Sequence, residues 1–189
     1  MSLLNHYGAY TDFMFERLND RDGAEPMPRF DGDINEFWRN WITRGWFDWE
    51  HEGYPFWSNL HHTQSYWDHR LLPNILFIHY ADMINDTPAM IQRIAAFIDH
   101  PVTMGDIEDT ARAVSFKRVK QQAAAESAKT QDSPQAFAGG SNTFINKGTN
   151  GRWRDVLSNE DLKLYETTKR KVLTPECAVW LENGGEVLK

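Results

Sequence analysis

A single cysteine, Cys177, in 189 residues rules out any intrachain disulfide. A chain without disulfides reads most simply as the product of a reducing compartment, so a cytoplasmic location is expected. Long apolar runs are also missing. None approaches the ~20 residues that cross a bilayer, and no basic segment followed by an apolar one opens the chain, so neither a membrane span nor a signal peptide is expected. Basic residues are in deficit: 20 Lys and Arg face 27 Asp and Glu, for a net charge of −7. That balance argues against nucleic acid or an anionic membrane as the main partner. A small polyanion needs only a local basic patch and stays open. There is no internal repeat, no coiled-coil heptad and no Gly-x-x-x-x-Gly-Lys loop. With 41% hydrophobic and 25% charged residues, the composition fits one soluble globular domain, expected over residues 1–189.

Aromatic residues, by contrast, are abundant. Of eight tryptophans, six lie between Trp38 and Trp67. They read either as core packing between helices or as the wall of a pocket for an apolar substrate.

The apolar pattern is mostly helical. Asp33-Ile34-Asn35-Glu36 has the form of a capping box. Ile34, Phe37, Trp38, Trp41 and Ile42 then recur at helical spacing up to about Gly45. A second helix is expected over residues 56–69. Thr87 followed by Pro88 predicts another helix start, with Ile91, Ile94, Ala95 and Ile98 as its buried stripe. A short helix follows over residues 106–113, and Ser115 reads as the N-cap of one more. Residues 19–29 read as a loop. Residues 123–141, small, polar and containing Gly and Pro, read as a mobile one. Ser158-Asn159-Glu160-Asp161 caps a last helix carrying Leu162, Tyr165 and Val172.

One segment reads as strand. Ile75, Leu76, Phe77 and Ile78 follow Pro73 as a short apolar run, as in a strand buried on both faces of a parallel sheet. A lone strand cannot satisfy its own edges. The pattern therefore predicts an α/β protein, a helix-rich part of a doubly wound domain with further strands upstream of this sequence.

Few side chains have the spacing of a catalytic or metal site. His61, His62 and His69 are clustered, but no acidic or Cys partner stands at a convincing offset, so no metal is expected. No Ser-His-Asp or Cys-His arrangement is legible, and Cys177 lacks a basic context that would activate it.

The most informative stretch is Phe144-Ile145-Asn146-Lys147-Gly148-Thr149-Asn150-Gly151-Arg152-Trp153-Arg154. Gly148 and Gly151 let backbone approach a ligand closely, and Lys147, Arg152 and Arg154 bring positive charge to an acidic chain. Backbone N–H groups with basic side chains suit a phosphate. A ligand-free Gly-rich turn would have the same composition.

This stretch resembles the C-terminal signature of the sulfotransferases that use PAPS (3′-phosphoadenosine 5′-phosphosulfate), which reads roughly Phe-x-Arg-Lys-Gly-x-x-Gly-Asp-Trp-Lys. Asn146 stands where the family has Arg, Arg152 where it has Asp, and Arg154 where it has the final Lys. The resemblance implies that Asn146, Lys147 and Gly148 hold the 3′-phosphate. It extends over residues 1–165. Residues 74–83 resemble the family's strand followed by Tyr-Glu-Asp-Met, which implies that Tyr80 contacts adenine. Val114-Ser115-Phe116-Lys117 resembles the Thr-Ser-Phe segment, which implies that Ser115 and Phe116 touch the nucleotide and that Phe116 stacks on adenine. Ser2 matches the serine that binds the 3′-phosphate.

The implied fold is P-loop-NTPase-like, and the implied reaction is sulfuryl transfer from PAPS to a small-molecule hydroxyl or amine, leaving PAP (the desulfonated nucleotide). Residues 33–69 would wall the acceptor pocket. The family's 5′-phosphosulfate loop and general base have no match within the 189 residues, which predicts an N-terminally truncated domain with little activity alone. The family's dimer motif is also altered: its Thr-Val pair is Ser158-Asn159 and its closing Glu falls at Lys163, so the oligomeric state is left open. Two other classes remain: a non-catalytic helical scaffold that kept the shape, and a nucleotide or small-molecule kinase fragment.

Overall fold

The computed structural model describes residues 7–20, 26–129, 134–145 and 148–187. Its helices are α1 (Asp12–Asn19), α2 (Ile34–Thr43), α3 (Asn59–Trp67), α4 (Tyr80–Asn85), α5 (Thr87–Phe97), α6 (Met104–Ala113), α7 (Phe116–Lys129), α8 (Ser141–Phe144), a 3-10 turn (Arg152–Asp155), α9 (Asn159–Val172) and α10 (Pro175–Asn183). Backbone contacts divide the chain into two compact units, one of Met1–Phe37 with Ala113–Leu157, the other of Trp38–Arg112 with Ser158–Lys189.

The first unit is centred on an aromatic cluster. Tyr7, 2% exposed, meets Tyr10, Phe15, Phe30 and Phe37 with ring centroids 5.4–6.3 Å apart. Thr11 caps α1 by accepting from the Met14 N–H. The backbone of Tyr10 bridges to Phe137, the one β-type pairing among the described residues. The helix α1 was not expected. It is only eight residues long, too short for its periodicity to stand out from its polar neighbours. The loop expected over residues 123–141 is a correction in its first part: α7 continues to Lys129, because its alanines are the strongest helix formers.

The second unit is built on α3, α9 and α10. Leu60, Trp67, Leu173 and Cys177 are its buried centre, with Phe77 and Trp180 packed against them. The α3 N-terminus rests on a buried carboxylate. Glu52, fully buried, accepts from the N–H groups of Asn59 and Leu60, both at 3.0 Å, and from the Ser58 hydroxyl. These are helix-end donors with no partner inside the helix. They also move the start of α3 from the expected residue 56 to Asn59. Similarly, α5 is capped by Asp86, whose side chain accepts from Ala89, and not by Thr87.

The capping box at Ser158 and Asp161 forms as read. Asp161 also accepts from the Arg39 Nε at 2.8 Å. That bond, with those from Ser158, holds its carboxyl below the usual carboxylate range although burial opposes it. Lys169 is pulled down by burial, but Glu166 and Glu182 outweigh this and hold its ammonium above the ordinary value. Burial pushes the Cys177 thiol up to about 11, as expected of a packed rather than reactive cysteine.

The expected strand is not formed as a ladder. Residues 75–79 are half-buried and carry no regular secondary structure. No sheet occurs among the described residues, so the doubly wound sheet is not seen here. Phe77 spends its apolar surface on Trp67 and Trp180, at 5.8 and 5.1 Å between centroids. Trp67 is core, and Trp38 stacks on Trp41 at 5.2 Å. Trp49 and Trp57 are exposed, at 61% and 78%.

Glu52→Ala is expected to cost about 3 kcal/mol, by leaving buried donors unpaired, against no more than about 0.5 kcal/mol for the exposed Glu108→Ala; urea unfolding of both variants measures the difference. For Asp161 the folded pKa lies below the unfolded one. Its contribution is therefore complete above about pH 4 and fades as pH falls through the lower folded value. Asp161→Asn should be less stable than wild type at pH 7, and the gap should close on acidification in a pH series of thermal melts.

Candidate functional site

Phe116 and Gly148 are distant in sequence and touch in the first unit. Phe116 is the first residue of α7, with Val119 N–H bonding back to the Ser115 carbonyl at 3.0 Å to open the helix. Its ring is partly exposed, at 44%. Gly148 has φ +61°, and a Cβ there would lie 2.6 Å from two carbons of the Phe116 ring. Only glycine combines that backbone with that approach. The turn continues through Gly151, at φ +82°, into the 3-10 helix. There the Arg154 guanidinium lies over the Trp153 ring at 4.6 Å. Further along α7, the Lys120 ammonium stands 5.8 Å from the Phe116 centroid. Lys120 was not anticipated. Its signal is the i, i+4 spacing from Phe116, which puts both on one helix face.

Tyr80 belongs to the second unit and opens α4. His79 caps that helix: Nδ1 accepts from the Ala81 N–H at 3.1 Å, and Nε2 donates to the Leu181 carbonyl at 3.0 Å. Asp82 accepts from the Gly185 N–H at 2.8 Å. The base of Tyr80 is thus tied to α10 and the turn after it, while the ring is 52% exposed. Of the residues anticipated from sequence, Phe116 and Gly148 are in contact, Ser115 flanks them, and Tyr80 is presented on its own unit. Ser2, Asn146 and Lys147 lie outside the described residues.

Two of the three clustered histidines have protein partners. His61 Nδ1 is 2.8 Å from the Ser58 Oγ and 3.6 Å from Glu52, and the His62 ring packs on Tyr66 at 5.0 Å. Among the described residues no group of three His, Cys, Asp or Glu side chains could hold a metal ion. None of the helices described is long and apolar enough to cross a membrane.

Residues 11–174 match the family model described as a sulfotransferase domain. The luciferin sulfotransferase of Photinus pyralis is 28% identical over 120 residues, which are 62% of this chain and 32% of that protein. Among solved structures, mouse sulfotransferase SULT7A1 complexed with PAP superposes with a TM-score of 0.66 at 19% identity, covering 97% of this chain and 58% of that one. Retinol dehydratase in complex with androsterone and the inactive cofactor PAP gives 0.57 at 24% identity, over 86% and 43%. The chain thus spans about a third of the luciferin enzyme's length, and the two structures show likeness of fold.

Gly148→Ala is expected to cost about 1–3 kcal/mol from its left-handed backbone, with the clash against Phe116 added. In a Phe116→Ala background the clash is gone, so a double-mutant cycle on unfolding free energies should show coupling above about 0.5 kcal/mol.

Proposed function

Because the chain belongs to the sulfotransferase domain family, we propose that it serves sulfuryl transfer from PAPS to a hydroxyl or amine of a small-molecule acceptor. The observation that carries this reading is the Phe116–Gly148 contact. It joins the two sequence stretches that the family uses for adenine and for the 3′-phosphate. In this reading Phe116 stacks on adenine and Ser115 bonds the nucleotide beside it. Lys147 and Gly148, with Asn146 and Ser2, hold the 3′-phosphate. The Cβ-free approach at Gly148 and the basic side chains of the turn suit a phosphate. That PAP occupies both solved relatives supports the same ligand here.

Residues 75–79 would be one strand of a doubly wound parallel sheet when further strands lie beside them. The face carrying Trp49 and Trp57 would border the acceptor. In the transfer, an S–O bond forms to the acceptor oxygen or an S–N bond to its amine, the bond from sulfur to the phosphate oxygen breaks, and the acceptor loses a proton. The rate comes from alignment and from cations on the developing charge. This chain's own residues supply the nucleotide-holding part of that task. The 5′-phosphosulfate loop and the general base have no match among its 189 residues.

A second reading is favoured by the exposure of Trp49 and Trp57: a non-catalytic module that docks a partner on those rings and has no affinity for PAP. Calorimetric titration with PAP separates the two. Saturable binding weakened tenfold or more, about 1.4 kcal/mol, by Phe116→Ala and by Lys147→Ala supports the nucleotide site; no heat from a folded chain supports the docking module. Sulfate transfer by the purified chain is expected to be no faster than by its Lys147→Ala variant.

A further inference from the structure

The segment between α2 and α3 carries aromatic rings and negative charge without any Lys or Arg. Residues 45–69 hold eight aromatic side chains and four Asp and Glu. Phe47 to Glu50 is a tight turn within it. The Glu50 N–H donates to the Phe47 carbonyl at 3.0 Å, and the Glu50 carboxylate accepts from the N–H groups of Trp46 at 2.9 Å and Phe47 at 3.3 Å. The Phe47 and Trp49 rings leave this turn nearly parallel, 4° apart, with centroids separated by 5.7 Å. Each is 61% exposed. The Trp49 ring also meets His61 of α3 edge-on at 5.5 Å, so its orientation is set by the protein and not by solvent. Asp48 stands between the two aromatic residues in the turn. It is exposed and has no hydrogen bond or ion pair among the described residues.

We propose that the Phe47–Trp49 pair binds a cationic group, an ammonium carried by the acceptor, with Asp48 as its counter-charge. The inference rests on the sulfuryl-transfer reading for the role of that ligand, and narrows the acceptor to one that bears an ammonium. Charge complementarity selects this occupant. Aromatic faces carry the negative part of the ring quadrupole, and a cation placed over one is attracted, most strongly by Trp. The full charges supplied by residues 45–69 are those of carboxylates, so a cation meets attraction from the rings and from Asp48, whereas an anion meets repulsion from both. Two large rings kept in water on a hydrogen-bonded turn also lose little freedom when a ligand arrives. The ammonium serves as a handle, because a nitrogen with four bonds has no lone pair to attack sulfur. The sulfuryl group goes to another hydroxyl or neutral amine of the same molecule.

The test is titration of the full 189-residue chain, at about pH 8, with choline and with its neutral isostere 3,3-dimethylbutan-1-ol. Binding is followed by NMR at the Trp49 indole N–H, identified as the signal that Trp49→Phe removes. The expected result is a saturable shift with choline bound at least about threefold more tightly than the alcohol, the size of an exposed cation–aromatic attraction. Asp48→Asn and Phe47→Leu, each shown by thermal melting to be folded, should weaken choline about threefold or more, and Asp48→Asn should leave the alcohol unchanged. Added salt should weaken choline and spare the alcohol. Equal affinity for the two probes would overturn the inference in favour of a neutral, apolar or carbohydrate-like ligand. No shift at Trp49 in a folded chain, or choline binding undiminished in both variants, would overturn it as well. These three outcomes leave PAP binding, and the nucleotide reading, untouched. Choline held as expected by a folded chain that takes no PAP would overturn the acceptor role given to the cation.

Discussion

The second unit depends on one buried carboxylate. Glu52 gathers the Ser58 hydroxyl and the first free N–H groups of α3, donors that would otherwise be stranded away from water. With that end secured, α3 presents Leu60 and Trp67 to Leu173 and Cys177. Trp67 and Trp180 in turn receive Phe77. The segment after Phe77 ends at His79, whose two ring nitrogens are both engaged and open the helix that carries Tyr80. An exposed tyrosine is thereby placed by a series of contacts that begins at a carboxylate well before it in the chain.

The first unit is held in another way. Its aromatic rings pack around Tyr7, and Gly148 has no Cβ where Phe116 needs room. The glycine that a sequence reading assigns to a ligand's approach is first used by the protein's own ring. The ring nonetheless remains partly exposed.

Legibility followed local chemistry. Asp33 and the Ser158–Asp161 pair announced α2 and α9, because a side chain that accepts from the N–H groups just after it needs no tertiary partner to act. The start of α3 was misread, since its cap includes Glu52, several residues upstream, and only folding brings it there. The helix α10 was missed although Thr174 and Pro175 mark its start; the signal was present and the polar segment around it masked it. The apolar run at residues 75–78 was legible as buried but not as a ladder, because a strand is defined by its neighbours and none is described here. At the site, Phe116 and Gly148 could be named from motif, whereas their contact and the approach of Lys120 depend on how α7 meets the turn.

The bonds around Ser58 also favour one tautomer of a neutral His61. A hydroxyl has one proton, and Ser58 gives its own to Glu52. Toward His61 it can only accept, from the backbone N–H and from Nδ1. The neutral imidazole therefore keeps its hydrogen on Nδ1 and its lone pair on Nε2. Its ring meets Trp49 edge-on at 5.5 Å. Nε2 is then the ring nitrogen left to accept, a polarity dictated by a helix cap.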